Sequence, residues 1–264
     1  MSLITNIDVV ILTLNEERNI GRVLEALTKF SSIVIVDSGS SDRTLEIASR
    51  YPSVRVVQRQ FDSHSAQWNY GIHETGLTRE WTLALDADYV LSSALVSEVE
   101  QLVPSNEVSG YETSFVYCIN GRPLRSGLYP PVVTLFRRDR ARYVQRGHTQ
   151  KVALDGVIKR LHAFVCHDDR KPLGRWLAAQ RRYASAEAAW IVRRPWSELR
   201  LQDRVRRLAF IAPWLVPLYC LTVRGGIFDG WAGIYYSVQR GIAEAFISLR
   251  LIEQIFRRPG AEHQ

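Results

Sequence analysis

Apolar positions in the first hundred residues come in short unbroken runs, separated by stretches where they recur every three or four residues. Asp8-Val9-Val10-Ile11-Leu12 is such a run, and Ile20, Val23, Leu24 and Leu27 behind it have helical spacing. The unit repeats as Ser32 to Val36 followed by Thr44, Leu45, Ile47 and Ala48. It repeats again as Val54 to Val57 followed by a helix near residues 65 to 75, and Trp81 to Leu85 is a fourth run. Runs that do not alternate belong to strands covered on both faces, so the pattern predicts a β/α series around a mainly parallel sheet.

Ligands of such sheets bind beyond the carboxyl ends of the strands. Three polar clusters fall there: Thr13/Asn15/Glu16, the stretch Asp37-Ser38 to Asp42, and Asp86 with Asp88. They should converge on one crevice. No G-x-G-x-x-G follows the first strand and no G-x-x-x-x-G-K-[ST] occurs, which disfavours a Rossmann dinucleotide site and a P-loop. On a continuing strand Asp86 and Asp88 would share a face, where two ionised carboxylates repel unless a cation lies beside them. Hard oxygen ligands suit Mg2+ or Mn2+, ions that also bind substrate phosphates. The plainer alternative for this D-x-D is that one Asp caps a helix beginning near Ser92 or Ser93 and the other is solvated.

Charge divides the 264-residue chain. Residues 1–120 hold 8 Lys/Arg against 16 Asp/Glu, and residues 121–264 hold 26 against 11. A basic half fits nucleic acid, an anionic membrane surface or an acidic substrate. Nucleic acid is set aside because no helix-turn-helix, zinc-finger or ribonucleoprotein signature is present. Cys118, Cys166 and Cys220 are odd in number and widely spaced, as in a reducing compartment. The N-terminus has no basic region ahead of its apolar run, so a cleaved signal peptide is not expected. His162, Cys166 and His167 lack the paired spacing of a structural zinc site and read as strand and loop. His64 and His73 read as surface residues.

From Lys171 onward the spacing is helical. Leu208 to Val223 is uncharged, but it is shorter than the roughly 20 residues of a membrane span and is interrupted by Pro213 and Pro217. With Arg204, Arg206, Arg207 and Arg224 on its flanks, and Trp214, Tyr219, Trp231, Tyr235 and Tyr236 nearby, it predicts an element lying on an anionic leaflet. A buried helix pair closing the core, or a homo-oligomer through these helices, is the alternative.

The stretches ILTLNEERNIGRVLEAL, IVIVDSGSSDRTLEIA, HSAQWNYGI and LALDADYVLS, in this order and spacing, resemble the family 2 inverting glycosyltransferases of GT-A fold. More narrowly, they resemble the branch that adds a sugar to lipopolysaccharide core or related envelope glycans. GGIFDGWAGIYYSVQRGIAEAFISLRLIE extends the likeness to nearly the whole chain. The resemblance implies a catalytic domain over 1–170, with a nucleotide-sugar-binding half (1–110) and an acceptor-side half (111–170), followed by a C-terminal helical region over 171–264. It implies that Thr13, Asn15 and Glu16 border the nucleotide, that Asp37 and Ser38 meet the base, that Asp86 lies by the ribose, and that Asp88 holds Mg2+ or Mn2+ on the diphosphate. Gln67 and Asn69 match polar positions that face the donor, the alternative being an ordinary exposed helix face. Tyr89 stands where the branch commonly has Glu.

In GHTQKV the branch usually follows His with Glu, and here Thr149 takes that place. His148 is then the first candidate for the base, with Asp155, Asp168 or Asp169 as substitutes. His167 with Asp168 matches a position lining the cleft. The expected activity is transfer of a hexose from a nucleotide-diphospho-sugar, UDP-sugar foremost, to an envelope glycan or lipid-anchored acceptor at the inner face of the cytoplasmic membrane. Transfer to a polyprenyl phosphate, which needs no strong base, is the nearest rival, favoured by the missing Glu. A nucleotidyltransferase is disfavoured because TLNEERN is not a Gly-rich phosphate loop. A non-catalytic scaffold that binds membrane and partner enzymes is opposed by the retained Asp86 and Asp88.

Overall fold

Each predicted run becomes a strand. The computed structural model describes residues 2–146 and 149–256, with Arg146, Thr149 and Phe256 described by their backbone alone. In chain order the first half contains β1 (Ile7–Thr13), α1 (Ile20–Ala26), β2 (Ile33–Asp37), α2 (Thr44–Ala48), β3 (Val54–Gln58), α3 (His64–His73), β4 (Trp81–Asp86), β5 (Tyr89–Leu91) and α4 (Ser93–Gln101). Then come β6 (Val108–Ile119), β7 (Arg122–Pro123), β8 (Val132–Arg137), β9 (Ala141–Arg146), β10 (Thr149–Leu154) and β11 (Val157–His167). The remainder is helical: α5 (Leu173–Val192), α6 (Leu201–Arg207), α7 (Ala212–Leu221) and α8 (Trp231–Phe256).

The main sheet has the order β3-β2-β1-β4-β8-β6-β11-β5, with β7 paired onto the end of β6 and β9 paired with β10 in a separate ribbon. β1, β2, β3 and β4 are mutually parallel, β6 and β11 are parallel, and β8 and β5 run antiparallel to their neighbours. This is the mixed, mainly parallel α/β sheet followed by helices that the periodicity predicts.

Unbroken apolar runs make sense once both faces of the sheet are seen. Val9, Ile11, Ile33, Ile35, Leu83 and Leu85 point to a core shared with Ile20, Val23 and Leu24 of α1 and Leu95, Val96 and Val99 of α4. Val10, Val34, Val36 and Ala84 point the other way, onto Trp68 and Ile72 of α3. The alternation of a strand sends successive side chains to opposite faces, and here both faces are covered. Close approach on the second face depends on Gly71, where a Cβ would lie 2.8 Å from Val10 Cγ1.

The chain divides into two compact units. One comprises the chain up to Pro123, Leu128–Arg146 and Gln150–Lys171, and the other includes Leu124–Gly127 and the chain from Pro172 onward. In the second, Ala184, Ala188 and Ile191 of α5 pack with Ile247 and Leu251 of α8. α7 lies against α8 where Gly241 leaves room, since a Cβ there would be 3.3 Å from Pro217 Cγ. This unit also buries charge. Arg206 donates from Nε and Nη2 to Glu244 (2.9 and 2.8 Å) and from Nη1 to Glu187 (2.9 Å), with Asp203 at 3.6 Å. The 208–223 segment is no continuous helix: residues 208–211 form a turn, and α7 carries Pro213 in its first turn and Pro217 inside. Among the described residues no helix is long and apolar enough to cross a membrane.

Candidate active site

Parallel register brings the polar strand ends into a row. Thr13 of β1 stands opposite Asp37 of β2, and Leu12 opposite Asp86 of β4. Thr13 Oγ1 donates to Asp37 Oδ1 at 2.8 Å, and the backbone N–H groups of Gly39 and Ser40 donate to Oδ2 at 2.9 and 2.8 Å. The Ser40 hydroxyl adds a fourth bond to Oδ1. A carboxylate has about four acceptor positions, so fully buried Asp37 is occupied in shaping the loop after β2. Asn15, at φ 56°, sits in the left-handed region that Asn tolerates better than most residues. Its Oδ1 accepts from Ser41 N at 2.8 Å and Asp42 N at 3.2 Å, which lashes the loops after β1 and β2 together.

Gln67 and Asn69 do not lie on an exposed helix face. Buried Gln67 donates to Ser38 Oγ (2.9 Å) and the Arg59 carbonyl (3.1 Å), and accepts from the Arg59 guanidinium. Asn69 closes a pair of bonds on the Tyr143 backbone, 2.9 and 2.8 Å. Both amides hold neighbouring elements in place.

Asp86 ends β4, while Asp88 lies in the two-residue turn before β5, so the two do not share a strand face. Neither caps α4, because Ser92 Oγ accepts from Leu95 N at 3.2 Å and does so. β5 pairs antiparallel with β11 so that Tyr89 faces His167, and Asp168 N donates to the Asp88 carbonyl at 3.1 Å. His167 Nε2 thereby stands 3.3 Å from Asp88 Oδ2. The other atom of each group, Asp88 Oδ1 and His167 Nδ1, is buried without a hydrogen-bond partner. Leaving such an atom unpaired costs on the order of 1–3 kcal/mol. Rings of Tyr89, Tyr117 and Tyr129 meet His167 edge-on at 5.2, 4.9 and 4.7 Å between centroids. The Tyr89 hydroxyl, where the branch commonly has Glu, bonds Tyr129 and Asp86.

Titration follows from this crowding. Burial, then the Asp88 charge, pushes the Asp86 carboxyl above the ordinary carboxylate range. Burial acts to raise Asp88 as well, but the charge and hydrogen bond of His167, helped by Lys171, hold it below that range. Burial would lower His167, and Asp88 raises it instead. Burial pushes Glu16 up to about 7 against the pull of Lys171.

A third segment completes the cluster. Lys171 Nζ lies 2.7 Å from Glu16 Oε1, and Asn19 Nδ2 donates to Glu16 Oε2 at 2.9 Å and Asp169 Oδ1 at 3.2 Å. Arg22 and Arg170 both donate to Asp168 Oδ2, at 2.7 and 2.9 Å, and Gly121 N donates to its Oδ1 at 3.0 Å. Asp168 and Asp169, substitutes for the base, are thus tied up in positioning this segment, and exposed Asp155 lies in the turn between β10 and β11. His148 lies outside the described residues, as does the Thr149 side chain. His64 and His73 are exposed, the latter with Nε2 3.0 Å from the Ala141 carbonyl. Sequence reasoning missed Asn19, Arg22, Arg170 and Lys171. The signal available was H-D-D-R-K, five titratable residues in succession at the end of β11.

The residues that could hold a metal ion are Asp88 and His167, one carboxylate and one imidazole, with His167 Nε2 turned to the carboxylate. Among the described residues no group of three or more His, Cys, Asp or Glu is arranged to hold a metal. Two protein donors suit an ion that completes its octahedron with water and substrate phosphate oxygens. His162, almost wholly exposed and paired with Glu98 at 3.1 Å, and Cys166, a free thiol hydrogen-bonded to the Cys118 thiol, do not join them.

Residues 8–152 match the family described as glycosyl transferase family 2. The lipopolysaccharide core biosynthesis glycosyltransferase LpsC of Rhizobium meliloti is 25% identical over 260 residues, which cover 92% of this chain and 90% of that one. An uncharacterized glycosyltransferase of Rickettsia conorii is 29% identical over 111 residues, 42% of this chain and 38% of that one. Among solved structures, S. aureus TarS 1-349 in complex with UDP-GlcNAc superposes with a TM-score of 0.49 at 14% identity, covering 95% of this chain and 92% of that one. Glucosyl-3-phosphoglycerate synthase from Mycobacterium tuberculosis, in complex with Mn2+, UDP and phosphoglyceric acid, gives 0.47 at 16% identity over 70% of this chain and 78% of that one.

Proposed function

Because the chain belongs to glycosyltransferase family 2, we propose that it transfers a hexose from a nucleotide-diphospho-sugar, with inversion, to an envelope glycan or lipid-anchored acceptor. The observation that carries this reading is the pairing of Asp88 with His167, each with a buried polar atom left unsatisfied, beside Asp86 at the end of β4. LpsC, similar over most of its length, supports the acceptor class. A UDP-sugar is the donor to test first.

In this reading Asp88 and His167 hold Mg2+ or Mn2+, and Asp86 meets the ribose. The chemistry such an ion would supply there is neutralisation of the diphosphate leaving group. Lys171, held protonated by Asp88 and Glu16 in spite of its burial, adds a fixed positive charge to the same cluster. Thr13, Asn15, Asp37 and Ser38 shape the loops that border the nucleotide, with Glu16 beside them. Gln67 and Asn69 keep α3 in register behind them. His148 takes the proton of the attacking hydroxyl, and a single displacement inverts the anomeric carbon. Thr149, in place of the expected Glu, favours a second reading in which the acceptor is a polyprenyl phosphate, already ionised and needing no base. Undiminished turnover in His148→Ala, which removes the candidate base, would select it.

The test is a thermal-shift panel of UDP-, GDP-, ADP-, CMP- and dTDP-sugars, with and without Mn2+, on the native chain and Asp88→Asn. A stabilisation by one base that needs the metal and disappears in the variant is expected. Undiminished metal-dependent donor affinity in Asp88→Asn would sink the metal assignment.

A further inference from the structure

The C-terminal unit has an outer face of unusual composition. A helix on a protein surface normally turns polar residues outward. Here Trp214 of α7 is 80% exposed, Phe228 in the turn before α8 78%, Val223 72%, and Phe210 in the turn before α7 69%. α8 extends the same property: while Ala232, Tyr236 and Ala243 are buried against its own unit, Trp231, Ile234, Tyr235 and Val238 face outward at helical spacing. α7, the 226–229 turn and the start of α8 pack directly on one another, because glycines at 226, 233 and 241 permit backbone approach. Apolar exposure on this scale marks an interaction surface.

The charge around that face has one sign. Residues 204–228 contain Arg204, Arg206, Arg207 and Arg224 and no acid. Arg206 is withdrawn into the interior by Glu187 and Glu244, which leaves Arg204, Arg207 and Arg224, whose guanidiniums donate to backbone carbonyls, as the cations flanking the face in sequence. The next acids on either side are spent internally: Asp203 is buried beside Arg206, and Asp229 accepts from the backbone N–H groups of Arg125 and Ser126 and from the Ser126 hydroxyl. Exposed Trp and Phe with a rim of unopposed arginine suit a layer that is apolar at depth and anionic at its surface. The ten residues of α7 make a helix only about 15 Å long, about half a hydrocarbon core, so the element lies along such a layer.

We propose that α7, the turn that follows it and the first turns of α8 form a docking face for an anionic phospholipid bilayer. Trp214 and Phe228 enter the headgroup–acyl boundary, and Arg204, Arg207 and Arg224 pair with lipid phosphates. The proposal is independent of the donor reading, because none of these residues belongs to the strand-end cluster.

Flotation of the full chain with vesicles of phosphatidylcholine, alone or mixed with phosphatidylglycerol, tests it. The native protein is expected to float with the mixed vesicles only. Replacing both anchors, Trp214→Ser with Phe228→Ser, should weaken partitioning by about tenfold or more. Arg207→Gln with Arg224→Gln should weaken it by roughly tenfold, as should raised salt. All four positions are exposed or partly exposed, and a far-UV melt of each variant confirms the fold before vesicles are added. Flotation with neither vesicle, or equally with both, overturns the proposal. So does a concentration-dependent dimer that the Trp214/Phe228 variant dissociates while the native chain ignores vesicles, an outcome that assigns the face to a second copy of this chain.

Discussion

Arg206 in the C-terminal unit and Asp88 in the N-terminal unit are both ionised groups withdrawn from solvent, and the chain surrounds them on opposite plans. Arg206 meets Glu244 with two nitrogens and Glu187 with a third, each at 2.9 Å or less. Asp88 meets His167 with one oxygen at 3.3 Å and nothing with the other. Breaking a satisfied buried network costs stability, whereas an unsatisfied carboxylate next to a second one costs stability to keep. On the proposed function, the difference separates charge retained for architecture from charge retained for a ligand.

Crossing the two sites sharpens that distinction. Asp88→Asn should lower kcat/KM on the order of 10^2- to 10^3-fold while moving Tm by no more than about 3 °C, measured by donor turnover and calorimetry on one preparation. Arg206→Met should do the reverse. Removing the cation shared by three carboxylates should cost about 3–5 kcal/mol in denaturant melts, with donor affinity unchanged at a temperature where the variant is folded. If Arg206→Met instead lost donor binding and kept its stability, the contrast would collapse.

Glu16 offers a subtler probe. Burial holds its carboxyl near 7, above the ordinary 4.5, so the unfolded chain gives up this proton first and stability falls as pH rises from 4.5 to 7. Glu16→Gln should flatten that part of the Tm–pH curve by an amount on the order of 5 °C. An unchanged slope would mean that Lys171 compensates Glu16 as completely as Glu244 compensates Arg206. The smallest effect is expected at Gln67→Ala, about 1–2 kcal/mol for a buried amide that ties Ser38 to Arg59, with turnover reduced only in proportion to the folded fraction.

The sheet was legible because its signal is local. β1, β2 and β4 are apolar runs whose two faces are both covered, with β3 a half-buried edge, and the polar residues that end β1, β2 and β4 come together through register alone. The turn at Ala87 and Asp88 was not legible, since D-x-D reads equally well as a continuing strand. The resemblance implies a base contact for Asp37 and a donor-facing place for Gln67, and the hydrogen bonds both make run to the chain itself. That distinction depends on loop geometry, which hydrophobic periodicity does not encode. Asn19, Arg22 and Lys171 escaped notice because their partners lie about 150 residues away in sequence. Only the return of β11 to the sheet makes them neighbours.

That return of β11 also governs when the site can exist. Asp88 is made early in the chain and His167 late, and they meet only after β6, β8 and β11 have been laid into the sheet and β5 has paired with β11 in one register. A slip of a single residue in that pairing would turn His167 to the opposite face of the sheet. Long-range closures of this kind come late and slowly in folding. The segment matched to the family ends at residue 152, before β11 begins. A ribosome that has released only that segment has therefore displayed the strand ends and both aspartates, but not the His167 imidazole that Asp88 meets.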